Sequence, residues 1–210
     1  MTVAKKPNNR LKLALALLAT APALWLAYLI SQEISLPTSG LGPDPAEGLL
    51  HYLGDWSMIA LLVAFSVTPL RRIFKQPMLA RSRRMLGLFA FFYVALHLAT
   101  YIVLYVESSW QLLVADFVER TYITAGIAGF FGLVAMAVTS TKGWRRRLGQ
   151  NWLRLHKVIY LVIPLALLHL IWLRKDGFGD IALYILWFSI LLGERIYQAR
   201  KPRAALTKGL

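Results

Sequence analysis

Three histidines interrupt hydrophobic stretches long enough to span a bilayer: His97 in ALHLATY, His156 in LRLHKVIYLV and His169 in LLHLIW. An ionisable side chain at membrane depth is costly and by default marks a functional site. Neutral imidazole is the commonest protein ligand for metals, haem iron included. The chemistry on offer is therefore axial ligation of a haem between two helices. The competing reading is that each histidine only hydrogen-bonds a neighbouring helix.

Depth separates the three. His97 stands about 12 residues into its apolar run counted from Met85, roughly 18 Å in at 1.5 Å per residue. His169 stands about 16 residues in from Leu153, roughly 24 Å from the same side. These depths are comparable, in the outer half of the membrane, and they pair His97 with His169 as ligands to a b-type haem. His156 lies about one turn in, near the opposite face, and roughly 140° around an ideal helix from His169. Pro164 lies between the two and is expected to kink the helix. A haem partner for His156 would stand near residues 83–85, where the chain has Arg83, Arg84 and Met85. His156 is left to ligate iron with an unusual partner, or to contact another cofactor or haem propionates. No C-x-x-C-H is present, so covalent haem attachment is excluded.

The elements that position these histidines follow from hydropathy. The 210 residues are 58% hydrophobic, against about 45–50% in ordinary soluble domains. The excess falls in six runs at about 11–30, 50–70, 85–106, 122–140, 153–173 and 179–197, each near the roughly 20 residues that cross the hydrocarbon. The expected fold is an all-α membrane protein, a six-transmembrane-helix bundle forming one domain over residues 1–210. The sixth run is the weakest, because Glu194 and Arg195 cut into its end. The first resembles a signal peptide, but Pro22 follows Ala19-Thr20-Ala21 and the apolar run continues to Ile30, which favours an uncleaved anchor.

The net charge of +14 would suggest nucleic acid in a soluble protein. Here the charges segregate by loop. Of the 24 basic residues, 21 fall before the first run, between the second and third, around the start of the fifth, or after the sixth. Nine of the ten acids fall on the other side. The positive-inside rule then places both termini in the cytoplasm, with the bilayer and not nucleic acid as the partner. Most of the seven tryptophans stand near span ends, as an aromatic belt would.

The absences are informative. Without cysteine there is no iron–sulfur cluster and no thiol-based reduction step. There is no G-x-G-x-x-G after a strand, and no soluble stretch long enough for a nucleotide-binding domain. Any domain that oxidises a nicotinamide must be another chain. Gly126, Gly129 and Gly132 recur at threes in the fourth run, either for close helix packing or to leave room for a flat cofactor.

The segments TPLRRIFKQPMLARSRRMLGL, ALHLATY, LGQNWLRLHKVIYLV and LLHLIW, in this order and spacing, resemble the MsrQ family. These are haem-binding membrane subunits of bacterial methionine sulfoxide reductase systems, within the ferric-reductase-like transmembrane group. The resemblance covers nearly the whole chain. It implies haem b and FMN as cofactors, bound in the bacterial inner membrane. It implies electrons drawn from the quinone pool or a cytoplasmic flavin reductase and passed to a periplasmic molybdopterin-dependent methionine sulfoxide reductase subunit. It maps the family's three intramembrane histidines onto His97, His156 and His169. The larger oxidases of the group carry two histidines on each of two helices, and this chain lacks one of the four. Such a chain is a non-catalytic electron-transfer subunit; the alternative is a self-sufficient haem reductase of ferric ion or oxygen. An FMN phosphate would fall to the basic loops, among Arg71, Arg72, Arg83, Arg84, Arg145, Arg146 and Arg147, with Arg83 and Arg84 the nearest to His156 in depth. The same arginines also serve topology and anionic-lipid contact. Partner docking would use the outer acids Glu107, Asp116, Glu119, Asp176 and Asp180.

Overall fold

A computed structural model describes residues 9–37, 40–173 and 179–201, with the side chains of Asn9 and Asp180 left out. Every regular element among the described residues is helical. In chain order these are α1 (Asn9–Ser35), α2 (Pro45–Ile73), α3 (Leu79–Leu104), α4 (Trp110–Glu119), α5 (Thr121–Val138), α6 (Lys142–Leu148), α7 (Gln150–Leu155), a 3-10 turn (His156–Val158), α8 (Ile159–Leu173) and α9 (Gly179–Arg200). Six helical segments are long and apolar enough to cross a membrane: α1, α2, α3, α5, the continuous stretch from α7 to α8, and α9. The six expected spans are all present. Lys5, Lys6, Thr38, Ser39, Arg174, Lys175, Asp176, Arg203 and Lys208 lie outside the described residues.

Local chemistry sets the ends. Asp44 caps α2, its Oδ1 accepting from the backbone N–H of Ala46 at 3.0 Å and of Glu47 at 3.1 Å. Pro45 follows at the first helical position, and Glu47 sits in the first turn, where the helix dipole favours an acid. These signals start α2 five residues before its apolar run. α3 likewise begins at Leu79, ahead of Met85, because its basic first turns are good helix formers even though they are not membrane-like. α4 and α6 are additions to the expected pattern. Ser109 caps α4 and Thr141 caps α6, each accepting from a backbone N–H three residues on. The fifth span tightens into a 3-10 turn over His156–Val158 without losing continuity, while Pro164 lies within α8.

α2 is the central helix. One apolar cluster joins its Met58, Leu62 and Phe65 to Ile163 and Leu167 of α8 and to Phe188 and Leu191 of α9. A second joins Leu61 of α2 to Ala90 of α3, Leu133 and Met136 of α5 and Val162 of α8. A third joins Leu26 of α1, Leu53 of α2 and Tyr93 of α3. α1 is peripheral, with Leu13, Leu17, Leu18 and Leu24 exposed, as suits lipid contact. Two tyrosines hold it in place. Tyr52 donates to the Pro22 carbonyl at 2.9 Å and Tyr93 to the Ala19 carbonyl at 2.6 Å. Both hydroxyls thus find acceptors on the backbone of α1, within the protein.

Glu194 and Arg195 do not break α9, because both are paired. Glu194 accepts from Arg72 at 3.1 Å. Arg195 donates to the Phe65 carbonyl at 2.8 Å and to the Tyr160 hydroxyl at 2.9 Å, with its guanidinium 3.8 Å from the Phe65 ring centre. These contacts tie α9 to α2 and α8 at the basic end of the bundle.

The glycine series in α5 divides by position. A Cβ on Gly132 would lie 2.6 Å from Val162 Cγ2, and one on Gly129 would lie 3.8 Å from Leu165 Cβ. Both serve the packing of α5 on α8. Gly132→Leu should therefore force the two helices apart and cost about 1–3 kcal/mol, as overpacking does. A thermal unfolding curve in detergent should show the lowered midpoint.

Candidate functional site

His97 on α3 and His169 on α8 meet inside the bundle. Their ring centres are 6.3 Å apart and their planes nearly perpendicular, at 87°. Each ring is fixed through Nδ1. The partner of His97 Nδ1 is the Leu50 carbonyl at 3.0 Å, and that of His169 Nδ1 is the Tyr122 carbonyl at 2.6 Å. A carbonyl only accepts, so each Nδ1 carries the proton and each Nε2 keeps its lone pair. Among the described residues neither Nε2 has a hydrogen-bond partner. A ring oriented through one nitrogen, with the other free, is the arrangement of a metal-ligating histidine.

The same device is used twice. The acceptor lies 47 residues before its histidine in both cases. Four residues after each acceptor stands a glycine, Gly54 in α2 and Gly126 in α5. A Cβ on Gly54 would lie 3.2 Å from His97 Cε1, and one on Gly126 would lie 2.8 Å from His169 Nδ1. Each glycine lets an imidazole approach the helix closely enough to reach the carbonyl one turn earlier. Gly126 thus makes room for the site, while Gly129 and Gly132 pack helices. The α2–α3 and α5–α8 pairs make the two most extensive helix contacts in the bundle, and the second repeats the first with an offset of 72 residues.

The pair offers two protein ligands and no more. Among the described residues no group of three or more His, Cys, Asp or Glu could hold a metal ion. A metal seated here must bring its remaining ligands with it, as a haem does. The spacing agrees. Two metal–imidazole bonds of about 2.0 Å, each with roughly 1.1 Å from nitrogen to ring centre, span about 6 Å between ring centres. The residues present therefore fit an axially ligated haem.

The cavity around the pair measures about 300 Å³ and is mostly apolar, with Val94, Ile127, Phe130 and Ala166 in its wall. Its acidic end has a polar mouth. Tyr101 donates to Asp116 at 2.6 Å, Arg120 pairs with Asp116 at 3.2 Å, and an Arg120 Nη reaches the Tyr122 hydroxyl at 3.4 Å. His51 also lines this mouth, next to Glu47 at 4.0 Å.

His156 is not part of that cavity. It lines a second one of about 780 Å³ at the basic end, together with Arg71, Arg83, Arg84, Lys142, Arg145 and Arg146. Its ring packs on Trp152 at 4.0 Å between centres, and Trp152 is held in turn by donating to the Thr139 carbonyl at 2.9 Å. Arg72 is engaged with Glu194, and Arg147 lies over the Trp144 ring, so neither lines this cavity. The offset of 72 residues carries His156 onto Arg84, and the two line the same space. Leu61 and Leu133 border both cavities and form an apolar seam between them.

Sequence reasoning singled out the three histidines and the basic loops as candidates, and the structure places His97 and His169 in one cavity and His156 in another. It missed Gly54, the Leu50 and Tyr122 carbonyls, the Trp152 stack and the Tyr101–Asp116–Arg120 mouth. The 47-residue spacing was present as a signal, but it is visible only once the carbonyl partners are known.

Residues 53–167, which contain His97 and His156 and end two residues before His169, match the family described as ferric reductase like transmembrane component. The protein-methionine-sulfoxide reductase heme-binding subunit MsrQ of Xanthomonas axonopodis pv. citri is 40% identical over 185 residues, covering 88% of this chain and 85% of its own. The corresponding subunit of Caulobacter vibrioides is 40% identical over 182 residues, covering 86% of this chain and 84% of its own. The matched region, the paired imidazoles and the six apolar spans agree with one another, and the chain belongs to the MsrQ family of ferric-reductase-like transmembrane proteins.

Proposed function

We propose that this chain is the haem b-binding, electron-transferring membrane subunit of a bacterial methionine sulfoxide reductase system. The observation that carries the reading is the His97–His169 pair, fixed through both Nδ1 atoms with both Nε2 atoms free. The relatives named as heme-binding subunits support it. A bound haem supplies the one-electron chemistry, and the protein sets its orientation and potential. His97 and His169 hold the iron. Leu50 and Tyr122 keep the ligating tautomer, Gly54 and Gly126 admit the rings, and the apolar wall keeps water away.

The basic end faces the cytoplasm in this reading, which puts both termini there and the chain in the bacterial inner membrane. Electrons arrive from the quinone pool or a cytoplasmic flavin reductase. FMN is held in the basic cavity, its phosphate met by Arg83 and Arg84 and its ring system near His156 and Trp152. Electrons leave at the acidic end for a periplasmic molybdopterin-dependent methionine sulfoxide reductase subunit. Having no cysteine, the chain reduces no sulfoxide by thiol chemistry and must pass electrons on. A second reading, a self-sufficient reductase of ferric ion or oxygen, draws on the family's ferric-reductase description. Rapid oxidation of the purified, reduced chain by ferric ion or oxygen without a partner would favour it.

His97→Ala and His169→Ala should each abolish or severely reduce bound haem b while leaving the protein inserted. The absorption spectrum of the purified variants reads this directly, and full haem occupancy in either would remove the pairing.

His156→Ala should behave differently, since it lines the other cavity. We expect retained haem absorbance and slowed reduction by a cytoplasmic donor. Arg83→Gln with Arg84→Gln should lower the flavin-to-protein ratio with haem unchanged. A flavin ratio equal to that of the wild type would leave these arginines to topology and lipid.

Docking of the periplasmic partner is assigned to outer acids that include Glu107, Asp116 and Glu119; among the other expected acids, Asp176 and the Asp180 side chain lie outside the described residues. Exposed charges are screened beyond about 8 Å at physiological salt. Electron transfer to the partner should slow as ionic strength rises, and stopped-flow rates across a salt series test this. Salt-independent rates would leave the acids to topology alone.

A further inference from the structure

We propose that Arg120 receives a haem carboxylate at the acidic end of the His97–His169 cavity, with Asp116 as the counter-ion that sets how much of the arginine's charge that carboxylate meets. The proposal rests on the haem reading above.

Haem b carries two carboxylates, and a carboxylate left in apolar surroundings without a cation or donor is strongly disfavoured. Among the described residues, Arg120 is the single arginine or lysine that lines the cavity holding the two histidines. It is also close to the iron ligands along the chain. Two residues on, Tyr122 gives its carbonyl to His169 Nδ1 at 2.6 Å and its hydroxyl to an Arg120 Nη at 3.4 Å. One residue thus connects the axial histidine to the guanidinium.

The guanidinium is held without being used up. Its Nε faces Asp116 at 3.2 Å and one Nη faces Tyr122. Arginine has five N–H donors in a planar fork, so donors remain for a carboxylate. Asp116 is itself fixed, because Tyr101 donates to it at 2.6 Å. The geometry of Arg120 is therefore set before any ligand arrives.

The other directions are unfavourable. Toward the basic end a carboxylate would meet the seam of Leu61, Ala90, Leu133, Met136 and Val162 before reaching the arginines beyond it. Toward α2 the cavity presents Glu47, which repels an anion. Among the described residues, the Arg120 side is the one that offers both an arginine's positive charge and its donors.

The charge has a sign that can be read. Ferric haem carries one more positive charge than ferrous haem, so a nearby cation favours the ferrous form. In purified haem-loaded protein, Arg120→Gln should lower the midpoint potential, shifting the ferric-to-ferrous ratio several-fold toward ferric at fixed applied potential. Asp116→Asn leaves Arg120 less neutralised and should shift the ratio the opposite way. A merely structural mouth would loosen in both variants and move both the same way. Same-direction shifts, or no shift in either, overturn the proposal. Haem release to excess apomyoglobin supplies a second readout. Arg120→Gln should release haem b several-fold faster than wild type, whereas the two proteins, reconstituted with haem dimethyl ester, should release it equally. An advantage of the wild type that persists with the ester overturns the proposal. A wild-type chain that binds no haem overturns the haem reading itself, and the two failures are told apart by that control.

Discussion

Inside hydrocarbon a polar group must find its partner within the protein. That constraint governs the site. The imidazoles of His97 and His169 each need an acceptor for one N–H, and the acceptor at hand is the carbonyl of a neighbouring helix, one turn before a glycine. Satisfying the first nitrogen fixes the ring, and fixing the ring leaves the second nitrogen available. The requirement that makes a membrane histidine costly is the one that orients its ring. The packing of α2 against α3, and of α5 against α8, follows from how closely those rings must approach.

Much of this was legible in the sequence. The six spans follow from apolar run length, which bilayer thickness dictates. Depth counted at 1.5 Å per residue brought His97 and His169 to the same level, and the structure places their rings 6.3 Å apart. The same count set His156 apart, and it lines a different cavity. Helix ends were less legible, because α2 and α3 extend through polar residues whose helicity comes from caps and propensity, not from hydropathy. α4 and α6 were hidden for the same reason, being too short to register as apolar runs. The Gly126–Gly129–Gly132 series could not be divided from sequence, since one spacing serves both ring clearance and helix packing.

The repeat of the α2–α3 pair in the α5–α8 pair gives the two cavities their contrast. At one level the 72-residue offset relates histidine to histidine, and the space between is small and apolar. At the other it relates His156 to Arg84, and the space is larger and strongly basic. A symmetric scaffold thus carries two chemically different chambers, separated by Leu61 and Leu133. Charged anchors such as the Arg72–Glu194 pair tie helices together at the basic end without lining either chamber.

Because the two acceptors are backbone carbonyls, they are indifferent to the side chains that bear them: leucine serves at position 50 and tyrosine at position 122. Almost any replacement there still presents the oxygen, so drift at these positions leaves ring orientation intact. The steric constraint falls instead four residues later, where the smallest possible side-chain addition, a single methyl group, would meet an imidazole atom at 3.2 Å or less. The orientation of each imidazole thus depends on a neighbouring position that carries no side chain at all.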